Sequence, residues 1–202
     1  MLVHVCLSTA GSVEIVRWAK SRGINVTAEV TPHHLLLTDE TARSYNPVYK
    51  VNPPLRTQED VNALREALAD GTIDIVATDH APHASEDKDC EWAAAAFGMV
   101  SLETALAIVS TTMVATGRMK WSDVARVMST KPADIGRVED HGNPIAVGAW
   151  ANITLIDPSA TVIVDPKNTA SKSHNNPFAG MEFRGAVTLT MLRGKVTYAG
   201  AH

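Results

Sequence analysis

The sequence has few cysteines and no long apolar run, and each absence excludes a class of protein. Its two cysteines, Cys6 and Cys90, are far apart and lack CxxC spacing, so a disulfide framework is not indicated and a reducing compartment is favoured. No apolar run approaches the roughly 20 residues of a membrane-spanning helix. The first residues also lack the charged region and cleavage pattern of a signal peptide. We therefore expect a cytoplasmic protein.

Runs of like charge are also absent. The 18 basic and 22 acidic residues give a net charge of -4 and are interspersed along the chain. A nucleic-acid or anionic membrane surface is therefore not indicated. The composition is that of an ordinary globular protein, 45% hydrophobic and 20% charged, and the 202 residues suffice for a sizeable core. The expected partner is a small molecule.

Strand-like and helix-like segments alternate through the first part of the chain, which is typical of an α/β protein with a parallel sheet. Capping residues and apolar spacing indicate where the helices begin and end. The predicted elements are strands at 1–6, 25–30, 48–51 and 73–78, with helices at 13–22, 57–69 and 101–117 and another after Trp121.

The pattern changes near residue 140. Residues 142–202 are punctuated by glycine and proline and carry alternating β-branched residues, which favours antiparallel strands. We therefore predict two parts: residues 1–140 with four βα units, and residues 141–202 as a small antiparallel β module.

The stretch 73–83, IDIVATDHAPH, carries the strongest chemical signal. An apolar strand leads directly into Asp79, His80 and His83, and the carboxyl ends of parallel strands face a common space. Imidazole and carboxylate groups together suit a divalent metal such as zinc, which lowers the pKa of bound water toward ~7. Asp79 could accept the proton of that water.

Other polar residues follow the other predicted strands: His4 with Cys6, the pair His33–His34, and Asn52. A lone histidine after a strand is more often a structural residue with hydrogen-bonded ring nitrogens than a metal ligand. That alternative stays open for His4, His80, His141, His174 and His202.

Six stretches together resemble the dihydroorotases of the amidohydrolase superfamily, of the larger bacterial type. They cover most of the chain and are specific as a set. The stretches are VTPHHLLLTDE (30–40), YKVNPPLRTQED (49–60), IVATDHAPH (75–83), EWAAAAFGM (91–99), KPADIG (131–136) and SKSHNNPFAG (171–180).

The resemblance implies the C-terminal half of a (β/α)8 TIM-type barrel, strands five to eight, followed by a small β module. It implies a zinc-dependent cyclic amide hydrolase that reversibly converts dihydroorotate to N-carbamoyl-aspartate in pyrimidine biosynthesis. In this pattern His34 is a zinc ligand from the sixth strand, and Asp79 is a zinc ligand from the eighth strand and the general acid/base. Asn52 and His83 bind the substrate, helped by backbone groups at 97–101.

The chain departs from the family pattern in its length and in one ligand. The first half of the barrel is missing, since a complete barrel typically needs ~250 residues. The fifth-strand zinc histidine normally stands two residues before the serine of the STAGS turn, where this chain has Cys6, and His4 lies two residues further back. A one-residue deletion would explain both positions, and either residue is a candidate ligand. Ser101 and Asn152 replace the usual glycine and aspartate.

Two further hypotheses follow from these departures. The chain could be a catalytically inactive fragment or pseudoenzyme with a structural role, associating with a complementary chain or with copies of itself, because four strands cut from a barrel leave open edges. Alternatively it could be part of another cyclic amidase, such as a hydantoinase or allantoinase, since those relatives share parts of the TDHAPH and NPPLR stretches.

Overall fold

The first part of the chain contains a parallel sheet of three strands in the order β1-β2-β3. The structure, a computed structural model, describes residues 3–200. The strands are β1 (Val3–Cys6), β2 (Val26–Val30) and β3 (Ile75–Val76). The register pairs Cys6 with Glu29 and Val30 with Val76. The strand end that precedes Asp79 therefore lies next to the end of β2.

The strand predicted at 48–51 is wrong. Pro47–Tyr49 forms a 3₁₀ turn, and the Asn46 side chain caps it by accepting the Val48 N–H at 3.0 Å. Proline fits the start of such a turn because it has no N–H to donate. Strand β2 pairs directly with β3, so no place between them remains for another strand. The partial barrel thus has three strands where four were predicted.

Seven α-helices are present in the described part of the chain. They are α1 (Ala10–Ser21), α2 (Asp39–Ala42), α3 (Gln58–Asp70), α4 (Ser85–Lys88), α5 (Ala105–Val109), α6 (Trp121–Ala125) and α7 (Lys131–Gly136). Helix α5 continues as a π-helical turn at Ser110–Val114, and α6 does so at Arg126–Thr130. None of the helices within residues 3–200 has the length and apolarity needed to cross a membrane.

Helices α1 and α3 cover one face of the parallel sheet. Thr57 caps α3 by accepting the Asp60 N–H, and Gly71 ends the helix with a φ of 86°, which glycine adopts without strain. The main core lies between these helices and the sheet and includes Val13, Val16, Val30, Leu64 and Leu68. Side chains alternate along a strand, so the residues of β1 and β2 between the core positions face the opposite side.

The last part of the chain forms an antiparallel sheet in the order β4-β5-β6. Its strands are β4 (Ile153–Ile163), β5 (Glu182–Leu192) and β6 (Lys195–Ala199). Strand β5 packs closely on the π-helical turn after α5, because a Cβ at Gly185 would lie 2.8 Å from the Ser110 hydroxyl. The boundary near residue 140 stays a prediction.

Candidate functional site

Asp79 lies just past the carboxyl end of β3 in a rarely used backbone conformation. Its φ is 44°, in the left-handed region, and its side chain is exposed. This conformation costs an L-residue roughly 1–2 kcal/mol, although aspartate tolerates it better than most. Such conformations persist only where surrounding contacts impose them, and they concentrate at functional sites.

Contacts on both sides of Asp79 impose this conformation. Before it, the carbonyl of Thr78 accepts a short hydrogen bond from the Ser101 hydroxyl. After it, the N–H of Ala81 donates to the Met99 carbonyl at 2.9 Å. Ser101 is fully buried, and its hydroxyl makes a bond that a glycine at this position could not make.

His80 has a supporting role between these two contacts. Its Nδ1 accepts hydrogen bonds from the backbone N–H groups of Ser101 and Leu102, each at 3.2 Å. An Nδ1 that accepts carries no proton, so the proton of the neutral ring is on Nε2. His80 therefore links the end of β3 to the segment that leads into α5.

His83 is held on three sides. Its Nε2 donates to the Phe97 carbonyl at 2.9 Å, and its backbone N–H lies 3.2 Å from the Ser173 hydroxyl and 3.3 Å from the Asn175 side-chain oxygen. The ring lines an open cleft of about 390 Å³ that Lys172 also lines. The stretch SKSHNNPFAG thus contributes Ser173 and Asn175, and no pattern in the sequence predicted these contacts.

His34 is buried, and both of its ring nitrogens are occupied. Nε2 donates to the Pro53 carbonyl at 3.1 Å, and Nδ1 lies 2.7 Å from the Thr31 hydroxyl. Burial lowers the pKa of His34 below its ordinary value, against the opposing effect of the Pro53 carbonyl. No lone pair is left for a metal in this arrangement, so the geometry does not favour the predicted ligand role.

His33, next to His34, is in the opposite situation. It is fully buried, and neither ring nitrogen has a hydrogen-bond partner among the described residues. Burial, with a smaller contribution from His34, lowers the pKa of His33 to about 3. The ring is therefore uncharged at neutral pH.

His4 and Cys6 lie on the sheet face opposite the helices. His4 bonds to the Thr27 hydroxyl at 2.8 Å and to the Glu29 carboxylate at 2.5 Å. Burial raises the pKa of the partly exposed Cys6 thiol to about 12, and the charges of Glu29 and Asp79 act in the same direction. The thiol is therefore protonated at neutral pH, and a zinc ion that bound there would displace its proton.

Within residues 3–200, no three His, Cys, Asp or Glu side chains form a group that could hold a metal ion. The predicted ligands His34, Asp79, His4 and Cys6 are therefore not brought together as one set. Asn52 is exposed, and its side chain makes no hydrogen bond to the other predicted site residues within the described part of the chain. The described residues by themselves do not fit zinc.

Comparison with known proteins gives one family and a consistent set of relatives. The profile described as "Amidohydrolase family" matches residues 2–197. The chain is 70% identical to the dihydroorotase of Streptomyces coelicolor over 196 residues, which is 96% of this chain and 46% of that protein. It is 57% identical to the dihydroorotase of Mycobacterium tuberculosis, with the same shares of both chains. The chain thus spans just under half the length of these relatives.

A solved structure shows the same relation. The L-hydantoinase (dihydropyrimidinase) from Arthrobacter aurescens matches with a TM-score of 0.91 and 34% sequence identity. The match covers 100% of this chain and 45% of the hydantoinase. The predicted resemblance and the predicted partial barrel are both confirmed.

Proposed function

The chain belongs to the amidohydrolase family, and from this premise we propose that it is the Asp79-bearing part of a dihydroorotase. The whole protein would catalyse the reversible hydrolysis of the cyclic amide of dihydroorotate to N-carbamoyl-aspartate. The 70% identity to a dihydroorotase, against 34% to a hydantoinase, favours dihydroorotate over hydantoins or allantoin as substrate. The two widely separated cysteines support a cytoplasmic location.

The placement of Asp79 carries the proposal. The carboxylate is exposed at a strand end, and contacts on both sides hold its backbone in the left-handed region. A carboxylate in this position can accept a proton from an attacking water molecule and then donate it to the departing amide nitrogen. His83, held by Phe97 and Asn175, would bind the substrate together with Asn52.

We propose that the metal centre requires groups from outside this chain. Amidohydrolases of the dihydroorotase type are generally metal-dependent, and zinc is the expected metal. Asp79 is the residue of this chain that we propose as a ligand. Because no three possible ligands form a group within residues 3–200, we assign no step of the reaction to a metal held by this chain alone.

A complementary chain is the proposed partner. Strand β1 pairs only with β2 among the described strands, which leaves one edge of the sheet open for pairing. Large apolar side chains are also exposed, including Trp18 (55%), Ile145 (86%), Val147 (109%) and Trp150 (57%). A complementary chain would cover both the unpaired strand edge and the exposed apolar side chains.

Co-expression tests the proposal. The chain is produced alone and together with the part of the Streptomyces coelicolor dihydroorotase that it does not match, and dihydroorotate hydrolysis is measured with added zinc. We expect turnover only when both parts are present, and a loss on the order of 10²–10⁴-fold in Asp79→Asn. Asp140→Asn is the matched control, because Asp140 is also exposed and left-handed, with a φ of 61°.

Other results of the turnover assay would contradict parts of the proposal or favour its alternatives. Near-normal turnover of Asp79→Asn in the combined protein would remove Asp79 from proton transfer. Turnover by the chain alone would contradict the need for a complementary part. A folded, associated pair without turnover would support the second candidate, a catalytically inactive fragment, which is favoured by the missing metal-binding group within residues 3–200. Hydantoin and allantoin in the same assay test the other cyclic amidases.

A further inference from the structure

Lys50 is a buried cation whose partners in the described chain are carbonyl oxygens. It is 7% exposed. Its Nζ donates to the carbonyls of Trp92, Ala93 and Ala95 at 2.8, 3.1 and 2.6 Å. The same ammonium lies 4.5 Å from the centroid of the Phe97 ring, a favourable cation–π distance. All three protons of Lys50 are thus used to fix the segment just before Gly98.

Lys88 approaches the same segment from α4. It is 8% exposed, and its Nζ donates to the carbonyls of Ala96 and Gly98, each at 2.9 Å, and more weakly to that of Lys50 at 3.3 Å. The Gly98 N–H donates to the Lys50 carbonyl at 2.9 Å. The Asn175 side chain also donates to the Gly98 carbonyl at 3.3 Å. The side chains of Lys88 and Asn175 therefore hold the carbonyl of Gly98, and the main-chain carbonyl of Lys50 holds its N–H.

The residue that these contacts control is His83. The Phe97 carbonyl, which accepts the His83 Nε2 proton at 2.9 Å, belongs to the peptide group that joins Phe97 to Gly98. The packing there is tight, since a Cβ on Gly98 would lie 2.9 Å from the same Nε2. A shift of this peptide group would release the ring or push it aside.

We propose that Lys50 and Lys88 are positioning residues for the substrate site. They fix the peptide group between Phe97 and Gly98 and thereby the orientation of the His83 ring. Burying two ammonium groups is costly, and apolar side chains of similar length would fill the same space without that cost. The inference rests on the proposed role of His83 in substrate binding.

NMR of the full chain with ¹⁵N-labelled histidine tests the proposal without requiring turnover. In Lys88→Met and Lys50→Met we expect the His83 Nε2 proton to exchange with solvent faster, on the order of tenfold or more, because buried hydrogen bonds to charged groups are lost. The Nε2 proton of His34, bonded to Pro53, is the internal reference and should not change. Lys172→Met is the matched control, an exposed lysine of the same cleft.

A conservative variant and two further results test the positioning role. Lys88→Arg keeps a cationic donor and should restore slow exchange of the His83 proton. A Lys88→Met chain with an intact His34 signal and an unchanged His83 signal would overturn the proposal. If the methionine variants do not fold, exchange of the lysine ammonium protons is measured in the unchanged chain. Ammonium protons of Lys50 and Lys88 that exchange as fast as those of Lys172 would also overturn it.

The combined two-part protein separates this inference from the proposed function. There, Lys88→Met should raise KM for dihydroorotate by about tenfold, equivalent to about 1.4 kcal/mol, with little change in kcat. Absence of dihydroorotate turnover in the unchanged pair would count against the proposed function alone. The His83 exchange rates would still test the positioning role.

Discussion

Replacing His33 with leucine is expected to stabilise the chain, although the residue is completely buried. Both ring nitrogens lack partners among residues 3–200. A neutral imidazole has one donor and one acceptor, and each buried group left unsatisfied costs about 1–3 kcal/mol. Leucine removes both costs and keeps an apolar side chain in the core. The two unsatisfied groups together cost about 2–6 kcal/mol and the imperfect fit of leucine costs up to about 1.5 kcal/mol, so we expect a net stabilisation of at least about 0.5 kcal/mol.

The same replacement at His34 should have the opposite effect. His34 lies next to His33 and is almost as buried, but its nitrogens bond to Pro53 and Thr31. Leucine would leave the buried Thr31 hydroxyl and the carbonyl of the partly buried Pro53 without these partners, which costs about 1–3 kcal/mol. Two adjacent histidines should thus respond with opposite signs.

The acid dependence of stability provides a second signature of His33. Its pKa is lowered from 6.5 to about 3, so between these values the unfolded chain binds more protons than the folded chain. The free energy of unfolding therefore falls as the pH falls from about 6.5 toward 3, by at most about 1.4 kcal/mol per pH unit for this group. His33→Leu should make the acid limb less steep.

Urea unfolding at pH 7 and pH 5, followed by the fluorescence of the four tryptophans, measures both effects. His174→Leu serves as a control, because His174 is exposed and should change the stability by less than about 0.5 kcal/mol. A His33→Leu chain less stable than the unchanged chain at pH 7 would refute the reasoning. It would mean that the imidazole has a polar partner or a packing role that offsets the unsatisfied nitrogens.

Two further predictions concern the segment around Gly98. Gly98→Ala should destabilise the chain by more than about 2 kcal/mol, because its Cβ would lie 2.5 Å from that of Ala81. The control Gly117→Ala, at a glycine with a φ of 75° and open space around it, should cost only about 1 kcal/mol. Equal losses of stability in urea unfolding would contradict the crowding at Gly98. Burial and, to a smaller extent, the charge of Lys50 lower the pKa of Lys88 from 10.5 to about 8. Between pH 8 and 10.5 the unfolded chain therefore binds more protons than the folded chain, and the free energy of unfolding should rise with pH over this range. Lys88→Met should flatten this rise, and a curve identical to that of the unchanged chain would exclude Lys88 as its source.

Several elements were predictable because their signals are local. Thr57 and Gly71 mark the ends of α3 through capping chemistry that depends only on neighbouring residues. The β-branched alternation after residue 140 likewise predicted antiparallel strands. The strand prediction for 48–51 was wrong because a short apolar run suits a strand and a 3₁₀ turn equally. The direct pairing of β2 with β3 excludes a strand between them, and it joins residues 46 positions apart, such as Val30 and Val76.

The sequence by itself determined the family, the half-length of the barrel and the position of Asp79 and His83 after a buried strand. Motif spacing and periodicity carry that information along the chain. Only the tertiary structure showed that His34 has hydrogen-bond partners whereas His33 has none among the described residues. It also showed which groups Lys50 and Lys88 contact. These depend on which groups meet across long separations, as Asn175 meets the Ala81 carbonyl 94 residues away. Burial and hydrogen-bond partners arise from such long-range contacts. Two adjacent histidines can therefore contribute to the free energy of unfolding with opposite signs.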